Sequence, residues 1–201
     1  SERDRMARDM ARGLPGWENL FGACGAENIV ITQAAGDRST DEGKSVAEIS
    51  QERGIEPEFA IMDLLIDTGL DAAKIDHYSS EKVVREIFAS SSSMVGSDGV
   101  FNPHPHPRLY GTAARVLGRY AIREKIITVP EAAARLSTRP AALLGLDDRG
   151  SIEEGKRADL VLIDSTAFVD TATFDSPHRN PPGVDLVAVG GTPVWRNGVH
   201  T

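Results

Sequence analysis

The sequence predicts an α/β fold: the closing part of an α/β barrel followed by a small β-domain. Three observations predict it. The candidate elements run strand, helices, strand, helices, and from Gly150 onward only short strands. The helix candidates carry one-sided apolar stripes, as helices packed on a sheet do. An apolar run, Met94–Ser97, ends in Asp98 and gives way to a Gly/Asn/Pro loop, the pattern of a barrel strand delivering a carboxylate to the catalytic rim.

In chain order, residues 1–12 alternate charges with Met6, Ala7, Met10 and Ala11 and read as a surface-lying helix. The β-branched run Asn28–Thr32 reads as a strand, followed by a polar loop from Ala34 to Gly43. Helices are expected over Lys44–Arg53, over Pro57–Asp67 with Pro at its first position, and over Ser80–Ala89. Phe59, Met62, Leu65 and Ile66 should face the core from the second of these, and Val83, Val84, Ile87 and Phe88 from the third. After the strand Met94–Ser97 comes an amphipathic helix, Thr112–Lys125, with Val116, Leu117, Tyr120 and Ala121 on one side. Thr128 and Glu131 are spaced as a capping box, and a last short helix spans Arg139–Leu144. Ser151–Ile152, Ala158–Ile163, Leu186–Val189 and Pro193–Trp195 are strand candidates, with an Asn197-Gly198 hairpin turn and a long loop over Asp164–Gly183. The character changes near residue 149, so the expected domains are 1–148 and 149–201. A complete (β/α)8 barrel takes about 250 residues; two barrel strands cannot close one. The start, Ser1-Glu2-Arg3-Asp4, reads as mid-helix, so the chain looks cut rather than begun.

Composition narrows the function classes. Hydrophobic residues at 40% and charged residues at 26% are globular values. The net charge of −8 speaks against nucleic acid as a partner. No apolar run approaches the roughly 20 residues that span a bilayer. One cysteine, Cys24, leaves no intrachain disulfide and suits a reducing, cytoplasmic setting.

Asp98 has two readings. At the end of a parallel strand it can ligate a metal or take a proton from metal-bound water; in Ser97-Asp98-Gly99 it can equally be a turn residue. His104 and His106 stand one residue apart, a spacing common among metal ligands. The flanking prolines forbid a central strand there, so the pair sits on an extended loop, as ligands, substrate contacts or solvated imidazoles. Arg108 can hold a carboxylate by two parallel hydrogen bonds or pair with one of the chain's own acidic groups. Cys24 has no basic neighbour and reads as a small apolar residue; His77, His178 and His200 read as solvated.

Two motif groups carry a resemblance. The segment from Gly150 through Gly155, Ala158 and Asp159 to Asp164, preceded by Ser137–Leu146, is similar to the C-terminal signature of the amidohydrolase superfamily. Within it, Gly96-Ser97-Asp98-Gly99, the run His104–Thr112 and Arg115–Tyr120 resemble the N-acyl-D-amino-acid deacylases, or D-aminoacylases. Glu42–Ile49, Asp63–Leu65, Asp170–Phe174, Pro177-His178 and Pro182-Gly183 are similar to that family too. The resemblance implies the C-terminal portion of a (β/α)8 TIM-type barrel followed by strands of a small β-sandwich. It implies a zinc-dependent hydrolase that removes the acyl group from an N-acyl-D-amino acid. Asp98 would be the catalytic base and a metal ligand, Arg108 the residue that receives the substrate α-carboxylate, and His104, His106 and Tyr110 further substrate contacts. The remaining zinc ligands would lie upstream, on the other half of the same enzyme or on a partner chain, and without them this chain would be inactive. A non-catalytic scaffold and a hydantoinase-like hydrolase of cyclic amides are the alternatives; the run from His106 to Thr112 argues against the second.

Overall fold

A two-stranded ribbon and two helices build the first of the chain's two cores. The computed structural model describes all 201 residues, Ser1–Thr201, as two units, Ser1–Ser80 and Glu81–Thr201. The compositional boundary at residue 149 falls inside the second unit.

In the first unit, α1 (Glu2–Arg12) is closed by a capping box between Ser1 and Asp4 and buries no residue. The short α2 (Leu20–Cys24) leads to β1 (Ile29–Ala34). The apolar alternation of β1 sends Ile29 and Ile31 inward, where they meet Cys24, Val46, Ile49, Ala60 and Leu64. Ser45 and Glu48 form the capping box of α3 (Val46–Arg53), and Gly54 in the left-handed region ends it. Pro57 opens α4 (Pro57–Asp67) as expected.

Two expectations change here. The partner of β1 is β2 (Ala72–Asp76), and they run antiparallel with a bulge between Ile31 and Gln33, so β1 is not a parallel barrel strand. The buried residues of α4 are Ala60, Met62 and Leu64, so of the expected stripe only Met62 is fully buried, and Ile66 is 65% exposed. Phe59 instead lies under the Arg3 guanidinium, 5.5 Å from the ring centre.

The second unit begins with α5 (Glu81–Ala89), which buries none of its residues fully. Three of its four apolar residues, Val83, Val84 and Ile87, point outward, with Ile87 at 62% exposure. The inward residues are Glu81, which accepts from the Tyr120 hydroxyl at 2.9 Å, and Phe88, whose ring lies 5.3 Å from that of Tyr120. Of the apolar face predicted for this helix Phe88 alone turns inward, joined by the polar anchor Glu81. The run Met94–Ser97 joins no sheet, because no strand of the chain offers it a ladder. It is held instead at Val95, whose N–H donates to the Arg135 carbonyl at 3.1 Å.

The helix α6 (Arg108–Ala113) continues in wider π turns over Ala114–Arg123. Val116, Tyr120 and Ala121 are buried as predicted, against Ala132 and with Phe88, Leu117 and Leu136 around them. Thr128 caps α7 (Val129–Ala133) by accepting from the Glu131 N–H. The Glu131 carboxylate does not return to the cap; it turns to two arginines of the following turns, Ala134–Thr138 and α8 (Arg139–Leu143). Ser151–Ile152 is no strand, and Ile152 is 87% exposed.

An antiparallel meander of β3 (Leu160–Ile163), β4 (Val184–Val189), β5 (Thr192–Arg196) and β6 (Val199–His200) ends the chain. Its second hairpin turns at Asn197-Gly198, both at positive φ (49° and 88°), as the right-handed twist of a two-residue hairpin requires. No helix is long and apolar enough to cross a membrane.

Candidate active site

The side chains singled out in the sequence gather in the second unit around the start of α6. Asp98 has φ 47°, a left-handed conformation that Asp tolerates better than most residues. The Ser97 hydroxyl accepts the Gly99 N–H at 3.3 Å. Asp98 therefore sits in a turn, and its carboxylate is 80% exposed.

Arg108 reaches back ten residues to this turn. Its Nε donates to the Asp98 carbonyl at 2.9 Å, and its Nη2 lies 2.6 Å from Asp98 Oδ2. Close packing fixes the same junction: a Cβ on Gly99 would meet Leu109 Cδ1 at 2.8 Å and Leu109 Cα at 3.0 Å. The base candidate and the carboxylate-binding candidate are thus brought together, each neutralising the other.

The prolines shape the approach to α6. Pro105 is fully buried, while His104 is exposed. His106 Nδ1 accepts the Arg108 N–H at 3.0 Å, which places any imidazole proton on Nε2. The His106 ring meets Phe174 edge-on at 5.0 Å. Tyr110 pairs with His178, with its hydroxyl 3.3 Å from Nδ1, and His178 Nε2 lies 2.8 Å from the Pro103 carbonyl. A carbonyl only accepts, so Nε2 is the donor, and Nδ1 of the neutral ring receives the Tyr110 hydroxyl proton. His178 is exposed as expected but not isolated: it is a strut between the proline loop and α6.

Beside Arg108 lies a cleft of 290 Å³, lined by His106, Arg108, Thr112, Arg115, Asp170 and Phe174 among others. Arg108, Thr112 and Arg115 share one helix face at the i, i+4, i+7 spacing. Arg115 donates from Nε to Asp170 Oδ2 at 2.9 Å and lies 3.6 Å from Glu81. Glu81 is also within salt-bridge range of Arg85 and Arg119. Burial, and then the hydrogen bond to Glu81, push the Tyr120 hydroxyl above its ordinary value.

Several of these residues escaped the residue-by-residue reading. Asp170, Phe174 and His178 lie in motifs that carried the resemblance, yet nothing local assigns them a partner. Arg115 likewise enters only within the Arg115–Tyr120 motif.

The chain does not by itself build a metal centre. No three His, Cys, Asp or Glu side chains converge. Asp98 can supply one carboxylate, whereas zinc takes three or four protein ligands. Cys24 is buried in the other unit, and burial pushes its thiol pKa upward, away from the thiolate a metal needs.

Comparison with known proteins follows this geometry. The amidohydrolase family profile matches residues 7–195. An N-acyl-D-glutamate deacylase of Alcaligenes xylosoxydans xylosoxydans is 39% identical over 154 residues, covering 76% of this chain and 30% of the relative. A D-aminoacylase of the same organism is 36% identical over 162 residues, covering 79% of this chain and 32% of the relative. The chain thus spans about a third of the length of these curated relatives. The crystal structure of N-acyl-D-glutamate deacylase from Bordetella bronchiseptica, complexed with zinc and a phosphonate mimic of the tetrahedral intermediate, superposes with a TM-score of 0.79 at 32% identity. That match covers 90% of this chain and 37% of the other. With a profile match over most of its length, the chain belongs to the amidohydrolase family.

Proposed function

We propose that this chain is the C-terminal portion of a zinc-dependent amidohydrolase that cleaves the amide bond of N-acyl-D-amino acids. The observation that carries the reading is the Asp98–Arg108 pair at the start of α6, in a chain 36–39% identical to deacylases of this class. In this reading Asp98 takes the proton of the attacking water and returns it to the departing amine nitrogen. Arg108 receives the substrate α-carboxylate through its fork of N–H donors. That carboxylate replaces Asp98 on the guanidinium and leaves the base free. His106 and Tyr110 fix the helix start from which Arg108 projects, and His104 stands at the exposed edge.

Zinc enters as a group of the complete protein. The solved relative is complexed with zinc, and this chain supplies the Asp98 carboxylate alone, so the other ligands lie outside these residues. The fold assigned with this function is the closing portion of a (β/α)8 barrel over 1–148, with strands of a small β-sandwich over 149–201. The antiparallel meander β3–β6 supports the second part. A cytoplasmic setting accords with the lone unpaired cysteine.

The test is amine release by the complete protein from N-acetyl-D-glutamate, N-acetyl-D-leucine, their L-enantiomers and a hydantoin. Release from the D-amides with little from the L-forms is expected. Turnover of the cyclic amide alone, or of none of them by zinc-loaded protein, overturns the assignment.

A further inference from the structure

Asp98 leaves the core on a segment without a sheet ladder, yet the segment is fastened. The fastener is Arg135, whose side chain is 2% exposed. Its Nε donates to Glu131 Oε1 at 2.7 Å. Its Nη1 donates to the Phe88 carbonyl at 2.5 Å and to Ser93 Oγ at 2.6 Å. The guanidinium also lies 5.3 Å from the Phe88 ring centre, and the Arg135 carbonyl accepts the Val95 N–H at 3.1 Å.

Arg139, one turn on, adds to the same grip. Its Nη1 donates to the carbonyls of Ser91 and Ser93 at 3.0 and 3.2 Å, and its Nη2 to Glu131 Oε2 at 2.9 Å. Glu131 is the shared anion that aligns both arginines. Hydrogen bonding from Arg135, with the nearby Arg139 charge, holds its carboxyl below the ordinary glutamate range.

A guanidinium this deeply buried is retained at a large desolvation penalty unless its donors are matched. Here they are matched by the Glu131 carboxylate and by the Phe88 carbonyl and Ser93 hydroxyl of one short stretch of chain. From Val95 to Asp98 only Gly96 and Ser97 intervene, and on the far side Arg108 binds the Asp98 carbonyl. The carboxylate is therefore suspended between two arginine anchors. Slack in the first would move it relative to the second.

We propose that Arg135, aligned by Glu131, is a positioning residue that sets the placement of Asp98 through the Phe88–Val95 segment. The proposal rests on the deacylase reading for its kinetic consequence but not for its structural one. The experiment uses the complete protein and compares Arg135→Lys, Arg135→Met and Ser93→Ala with wild type. Lysine keeps the charge but cannot span Glu131, Ser93 and the Phe88 carbonyl together. Ser93→Ala removes one acceptor of the Arg135 guanidinium while leaving the cation with Glu131 and the Phe88 carbonyl, so it remains informative if an Arg135 variant fails to fold.

In folded variants, amide hydrogen exchange over residues 90–98 should accelerate about tenfold or more. The kcat for an N-acyl-D-amino acid should fall about tenfold or more, since small misplacements of a catalytic group have effects up to ~100-fold. The KM should stay within about twofold, since Arg108 is untouched, and Arg135→Lys should retain more activity than Arg135→Met. Exchange over 90–98 at the wild-type rate in folded Arg135→Lys and Ser93→Ala overturns the proposal, as does faster exchange with unchanged kcat. If wild type turns over no N-acyl-D-amino acid while the variants still loosen 90–98, the deacylase reading fails and the anchoring of the segment stands.

Discussion

Gly99→Ala tests whether the Asp98 turn and the Arg108 helix are packed as one unit. A Cβ at Gly99 would lie 2.8 Å from Leu109 Cδ1 and 3.0 Å from Leu109 Cα. The first contact can be relieved by a rotamer change; the second is backbone and yields only if the turn moves off α6. Overpacking of this kind costs about 1–3 kcal/mol. For a domain of this size that lowers the unfolding midpoint by about 2–4 °C per kcal/mol. Gly96 is the matched control, because a Cβ there would meet nothing within 4 Å and its φ is not positive. Gly96→Ala should therefore stay within about 0.5 kcal/mol of wild type. The assay is thermal unfolding of the three proteins side by side, with the kcat for an N-acyl-D-amino acid on the same samples. Gly99→Ala should be the less stable and have the lower kcat, because the turn carries Asp98 away from α6. Equal midpoints and equal kcat for the two alanine variants would refute the packing argument.

Other outcomes follow from the cores and the charge networks. Leu64→Ala should lose about 2–5 kcal/mol, measured by urea unfolding, because Leu64 is 2% exposed among Ile29, Ile49 and Ala60. Tyr120→Phe should lose about 1 kcal/mol through the hydrogen bond to Glu81, and a neutral result would mean that Arg85, Arg115 and Arg119 satisfy Glu81 without it. Glu131 titrates below its ordinary value of 4.5 because Arg135 and Arg139 bind its carboxylate. Its contribution is complete above that value and is lost as pH falls below it, so Glu131→Gln should flatten the acid limb of the stability profile. An unaltered acid limb would remove Glu131 from the clamp.

Local chemistry explains which parts of the fold were legible in sequence. Pro57 at a helix start and Asn197-Gly198 each act within four residues, and each occurs where the sequence places it. The failures involve distant partners. An apolar run is a strand only if another strand pairs with it, so Met94–Val95 could not be distinguished from an unpaired segment. Val83, Val84 and Ile87 on α5 face outward because Glu81 and Phe88 are claimed by Tyr120, 39 and 32 positions away. β2 was missed because Lys74 and Asp76 break any apolar alternation. Arg135 is an ordinary i,i+4 partner of Glu131 until the Phe88–Val95 backbone closes over it. Of the residues that motif and spacing single out, Asp98 and Arg108 are brought into contact. His178 and Asp170 needed the contacts that join them to Tyr110 and Arg115.

The central claim is that Arg108 reads the substrate carboxylate beside Asp98. The most direct measurement is kcat/KM of the complete protein for an N-acyl-D-amino acid and for the same compound with its α-carboxylate converted to an amide, in wild type and Arg108→Met. The account predicts that wild type prefers the carboxylate by about 30-fold or more, the range of a charge-assisted bidentate contact worth ~2 kcal/mol or more. Arg108→Met should lose that preference through a higher KM. An equal preference in both proteins would contradict it.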